Sequence, residues 1–141
     1  MSHRSDLRPV PLTTLGVISL GGAAGALARH GLGVAFPQPP AAFPWTTLGV
    51  NAAGCLLIGV LMVTITELRD APGWVRPLLG VGVLGGFTTF STYVVDTGRL
   101  LLSGATPAAL AYLVATPVVA LAAVWAGGAL TRAAAGAGRP R

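Results

Sequence analysis

The stretch Gly85-Gly86-Phe87-Thr88-Thr89-Phe90-Ser91-Thr92-Tyr93 decides how the rest of this chain is read. It sets two glycines, four aliphatic hydroxyl residues and three aromatics inside a segment that carries no charge from Pro77 to Val95. A helix in hydrocarbon must satisfy its own backbone, and paired glycines followed by competing hydroxyls loosen that pattern. Irregular backbone at membrane depth is stable only where protein covers it or it lines a wet cavity. The segment therefore points to an ion or substrate pathway rather than an anchor.

The composition agrees with a membrane setting. The chain has 141 residues, 53% hydrophobic and 9% charged, where soluble domains carry about 25% charged residues. Mean hydropathy is +0.75. The length fits one domain, residues 1–141, of four spans of about 20 residues each. The expected fold class is thus all-α integral membrane. All nine basic residues are arginine. They are scattered at expected span ends with no aromatic interleaving, so the net charge of +5 is not a nucleic-acid footprint. The single Cys55 excludes an internal disulfide. Arg4 and Arg8 precede an apolar run as in a signal peptide, but that run is long and more spans follow, so a retained span is expected.

Reading outward, a polar tail, Met1 to Arg8, leads to span 1 over about residues 11–29. Its Gly21, Gly22 and Gly25 offer a small-residue face for close helix approach. Gly31 to Pro44, with prolines at 37, 39, 40 and 44, reads as a connection without regular helix. Span 2 is expected over about 45–66, followed by a polar turn at Glu67, Arg69, Asp70, Pro72 and Gly73. Span 3 covers about 74–96 and breaks near Gly85-Gly86. Arg99 to Thr106 forms the next connection. Thr106-Pro107 is a helix start with a capping hydroxyl and a proline in the first turn, opening span 4 over about 107–130. Pro117 should kink that span. Trp45, Trp74 and Trp125 fall near expected span ends, where indoles favour the interface. Four spans place both termini on one side, with Arg4, Arg8, Arg69, Arg76, Arg132, Arg139 and Arg141. The other side has only Arg29 and Arg99. The positive-inside rule then puts the termini in the cytoplasm.

Several residues are candidates for chemistry, each with a plainer alternative. Asn51 in span 2 offers amide donors at depth, and Thr47, one turn earlier, shares its face. The pair is either a polar track or glue between helices. Phe90 and Tyr93 share a face past the break and present positive ring edges to an anion, or simply pack. Ser91 and Thr92 donate to an anion or back-bond to the preceding turn. Tyr112 and Thr116 share a face of span 4, and Tyr112 reads equally as an interfacial anchor. Pro117 leaves a carbonyl near Leu113 without its helical donor. Arg29 attracts anions at a vestibule or snorkels to headgroups. His30 has no second ligand nearby, so it does not mark a metal site. Asp96 is expected at the membrane interface. No catalytic constellation and no phosphate loop appear, so neither an enzyme nor an ATP-driven pump is expected. No acid is expected in mid-membrane, which weakens a proton-coupled exporter.

Three motifs resemble those of the Fluc/CrcB fluoride channel family. Gly21 to His30 resembles GGxxGAxxRY, Thr47 to Gly54 resembles TLxVNxxG, and Gly85 to Tyr93 resembles GGxTTFSTF. The resemblance spans all four helices. It implies a small four-span protein that pairs as an antiparallel, dual-topology dimer and exports fluoride passively across the cell membrane. It also implies roles. Asn51 is the pore-lining amide, the ring edges of Phe90 and Tyr93 line the pathway, and Ser91, Tyr112 and Thr116 form a polar track beside Thr47. Arg29 is the vestibule arginine. The carbonyls of Gly85 and Thr88 bind a structural sodium ion on the dimer axis. The chain departs from the pattern at Tyr93, where phenylalanine is usual, at His30 for tyrosine, and at Thr116 for serine. The arginine bias is also unusual for a chain that must insert both ways, and it raises pairing with an oppositely oriented paralogue as an alternative to the homodimer. Readings outside this one are a non-conducting supporting subunit and a four-span exporter of another substrate.

Overall fold

The first long apolar stretch forms one helix, Leu12–Ala35, in a computed structural model that describes residues 10–137. The tail Met1 to Arg8, Arg139 and Arg141 lie outside the described residues. The helix continues past the end expected near Arg29, so Gly31 to Ala35 are helical and not part of the connection. The physical reason is that Gly31 and Gly33 stand in open space, and a helical glycine costs only about 1 kcal/mol against alanine. Pro37 is the real stop. It disfavours the helical region for the residue before it, and Phe36 leaves the helix at φ −124.

Among the described residues every regular element is helical, and four helices are long and apolar enough to cross a membrane. They are span 1 (Leu12–Ala35), span 2 (Trp45–Leu68), span 3 (Arg76–Leu102) and span 4 (Thr106–Ala137). Span 2 widens to π-type turns over Thr64–Leu68. Span 3 is π-type over Arg76–Leu84, makes one α turn at Gly85–Phe87, and resumes as α-helix at Ser91–Leu102. Between those pieces Thr88 is extended, at φ −76 and ψ 156.

Span 3 also runs past its expected end at Asp96, because the apolar Leu100-Leu101-Leu102 carries it on. The link to span 4 shrinks to residues 103–105 and turns at Gly104, whose φ of 79 favours glycine. Span 4 reaches Ala137 rather than stopping near residue 130, with Pro117 inside it. Its 32 residues make about 48 Å at 1.5 Å per residue, longer than a hydrocarbon core of about 30 Å. Trp125 therefore lies well inside the helix rather than at its end.

Helices in lipid gain little by hiding apolar side chains from apolar solvent, so close backbone approach decides their pairing. Glycine permits it here twice. Span 1 packs on the first half of span 3, where a Cβ on Gly25 would strike the Val83 carbonyl and one on Gly86 the Gly22 carbonyl. Span 2 packs on span 4, where a Cβ on Gly59 would strike the Val124 carbonyl and one on Gly127 the Leu56 carbonyl. Where the second half of span 3 meets spans 2 and 4 lies a small core of Leu48, Tyr93, Leu100, Ala109 and Tyr112. It sits beside the interruption in span 3.

Candidate anion pathway

The three non-helical residues of span 3, 88–90, are held by side chains that take over backbone partners. In an unbroken helix the Thr89 N–H would donate to the Gly85 carbonyl and the Thr92 N–H to the Thr88 carbonyl. Here the Thr89 N–H donates to Asn51 Oδ1 at 2.7 Å, and the Thr92 N–H to Thr89 Oγ1 at 3.1 Å. The Gly85 and Thr88 carbonyls accept no backbone hydrogen bond across the break. The Asn51 Nδ2 also donates to the Thr89 carbonyl at 2.9 Å, so one amide clasps both sides of a residue between the two pieces of span 3. Arg29 Nε donates to the Gly86 carbonyl at 3.3 Å. The alternative of Asn51 as helix glue is thus realised in its geometry. Its second amide hydrogen has no partner in these bonds, so a donor role stays open as well.

Two clefts flank this clasp, and Thr89 lines both. One, of about 320 Å³, is bounded by Arg29, His30, Thr46, Thr47, Val50 and Thr92. Arg29 is half-buried in its wall, six residues before the end of span 1, and not a snorkelling residue at the helix terminus. The other cleft, of about 250 Å³, brings together Asn51, Cys55, Phe90, Tyr93, Thr116 and Pro117. Four sequence candidates, Asn51, Phe90, Tyr93 and Thr116, therefore share one groove. Thr47 faces the first cleft instead. Ser91 is exposed at the start of the second half-helix, 3.3 Å from the Thr89 hydroxyl.

Rings continue from the groove into the core. Phe90 lies 5.5 Å from Tyr93, Tyr93 5.4 Å from Tyr112, and Tyr112 5.4 Å edge-on from Phe43. Phe90 is 77% exposed on the single chain. Tyr112 is fully buried, which rules out the interfacial-anchor alternative. The Tyr112 and Thr116 hydroxyls are both buried with no hydrogen-bond partner. A buried polar group without a partner costs on the order of 1–3 kcal/mol, and the hydroxyls of Thr47 and Thr116 are neighbours of the Tyr112 hydroxyl without closing a hydrogen bond to it.

Asp96 corrects the sequence reading. It is buried between helices, six residues before the end of span 3 rather than at it, and accepts a hydrogen bond from the Thr47 hydroxyl at 2.7 Å and from Arg99 at 3.4 Å. An acid therefore does stand between the helices, because span 3 continues a turn and a half beyond it. The apolar run at residues 100–102 was the signal for this. Thr89, the residue Asn51 clasps, was also missed. Its place just after the double glycine, among competing hydroxyls, was the available clue. Among the described residues no three His, Cys, Asp or Glu side chains cluster as metal ligands.

Comparison with known proteins bears on this geometry. Residues 16–128 match the family described as CrcB-like protein, Camphor Resistance (CrcB). The chain is similar to a protein of Streptomyces coelicolor named fluoride-specific ion channel FluC 1, 59% identical over 109 residues, covering 77% of this chain and 71% of the relative. It is similar to a FluC 2 of Nocardia farcinica, 48% identical over 139 residues, covering 99% of both. A FluC of Pseudomonas fluorescens is 45% identical over 124 residues, covering 87% of this chain and 98% of the relative.

Proposed function

The chain belongs to the CrcB-like family, and from that premise we propose that it is a fluoride-selective channel through which fluoride leaves the cytoplasm passively. It is a multi-pass membrane protein and an ion-conducting one, not an enzyme. The observation that carries the reading is the pair of buried, unpartnered hydroxyls of Tyr112 and Thr116, with Thr116 lining the groove that also holds Asn51, Phe90 and Tyr93.

Fluoride holds its water tightly, so a selective path must replace that shell with close donors. The free Asn51 N–H and the two hydroxyls supply them, and the ring edges of Phe90 and Tyr93 add positive edge potential. None of these carries a fixed positive charge, so the ion is stabilised without being trapped. Arg29 in the neighbouring cleft raises the local anion concentration at the vestibule. The buried Asp96 weakens the argument against a proton-coupled exporter, but its oxygens are engaged by Thr47 and Arg99. Family membership favours the channel.

The functional unit is proposed to be an antiparallel homodimer in the plasma membrane, its third span broken near mid-membrane. The exposed Phe90 ring would then be covered by the second copy. The Gly85 and Thr88 carbonyls, both without backbone donors, fit a sodium ion, which takes oxygen ligands, and a two-fold axis would double their number. Bound there, the ion would neutralise carbonyl dipoles crowded at the break. The dimer is expected to melt at lower temperature when sodium is replaced by a bulky organic cation. An unchanged melting temperature counts against the site.

The deciding experiment is fluoride efflux from liposomes holding only this purified chain, followed with a fluoride electrode under a potassium ionophore. Release of fluoride without chloride is expected. Equal release of both ions overturns the reading. The arginine bias, seven against two by sequence, favours a second reading in which the partner is an oppositely oriented paralogue. That reading expects a single orientation in a topology reporter and no efflux until the second chain is added.

A further inference from the structure

The Tyr93 hydroxyl occupies a place that its neighbours leave vacant. Pro117 has no N–H, so the Leu113 carbonyl, one turn earlier, loses its helical donor. Tyr93 Oη donates to that carbonyl at 2.8 Å, from a different span. Tyr93 is 8% exposed, and it and Pro117 line the same groove. The hydroxyl is thus turned into the wall and spent on a backbone acceptor, while the ring lies between Phe90 and Tyr112 at 5.5 and 5.4 Å.

We propose that the Tyr93 hydroxyl is a positioning group that masks the Leu113 carbonyl from the anion path. An unpaired carbonyl beside the anion path would set the negative end of its dipole against the ion, which repels an anion and invites a cation or water. Capping it from the second half of span 3 removes that barrier. It also fixes the ring by its far end, so that the edge offered to the anion does not swing. Tyrosine at this position is then a partner to Pro117 and does not close the path. The inference rests on the channel reading.

The test is a double-mutant cycle between Tyr93→Phe and Pro117→Ala. Tyr93→Phe keeps the ring and its volume, so folding is expected to survive, and fluoride efflux should fall about tenfold, the order set by one buried acceptor left unpaired. Pro117→Ala supplies an N–H to Leu113 by ordinary helical bonding. The double variant should therefore recover to within about threefold of the wild type, a non-additivity expected for groups that share a partner. Efflux by Tyr93→Phe equal to wild type, or a double variant no better than Tyr93→Phe, overturns the proposal. If Pro117→Ala does not fold, Pro117→Gly restores the same N–H. The cycle is also read by melting temperature in detergent, which needs no flux. Failure of the wild type to pass fluoride, with or without an oppositely oriented paralogue, would overturn the channel reading alone. An additive melting cycle would overturn the masking alone.

Discussion

Replacing Asn51 by aspartate separates the two tasks of this residue. Asn51 Oδ1 accepts the Thr89 N–H at 2.7 Å, and Nδ2 donates to the Thr89 carbonyl at 2.9 Å. Aspartate keeps the first bond and loses the second. One interhelical hydrogen bond in a membrane protein is worth about 0.6–1.7 kcal/mol, so the fold survives. The larger effect is electrostatic. A carboxylate about 5 Å from a passing anion repels it by about 3 kcal/mol at an effective dielectric of ~20. With tenfold per 1.4 kcal/mol, efflux should drop by roughly two orders of magnitude. Asn51→Ala removes both bonds, leaving the Thr89 N–H and carbonyl unpaired, but adds no charge. The expected order of fluoride efflux is wild type, then alanine, then aspartate. The assay is electrode-monitored efflux at alkaline pH, where the carboxylate is ionised despite burial. Size-exclusion profiles verify that each variant is folded. An aspartate variant conducting within about threefold of wild type, less than 1 kcal/mol, would refute the placing of Asn51 beside the ion.

Three further outcomes follow from the same geometry. Gly25→Ala forces a methyl onto the Val83 carbonyl and should cost about 1–3 kcal/mol as overpacking. Gly33→Ala, in open space, should be neutral or stabilising by up to about 1 kcal/mol, and melting curves in detergent compare the two. Asp96→Ala strands the Thr47 hydroxyl and should lower stability by about 1–3 kcal/mol, whereas Asp96→Asn keeps an acceptor and should lose less, read from the same curves. Cys55, the chain's single cysteine, lines the groove, so a bulky charged methanethiosulfonate should stop efflux in the wild type and leave Cys55→Ser untouched.

The family and the membrane class were legible in the sequence because they depend on order along the chain: the four apolar runs, the double glycine and its hydroxyls, and the Asn51 motif. Helix ends were less so. The prolines at 37, 39, 40 and 44 were read as excluding helix from Gly31 onward, yet they act only from Pro37, and the helix runs on through Gly31 and Gly33 to Ala35. Asp96 was read at a span end because the boundary was drawn six residues early, and the structure buries it between helices. Pairings across spans were invisible to spacing altogether. Periodicity places Asn51 and Thr47 on one face, but it does not say that Asn51 engages Thr89 while Thr47 engages Asp96. Pro117 and Tyr93 are 24 residues apart, and each alone looks like a defect, one a missing donor and the other a surplus hydroxyl. Only the fold brings the surplus to the deficit, at the Leu113 carbonyl. A departure from a family pattern at one position is therefore best judged together with whatever its side chain reaches in space. At Tyr93 that is a carbonyl which a phenylalanine would leave bare.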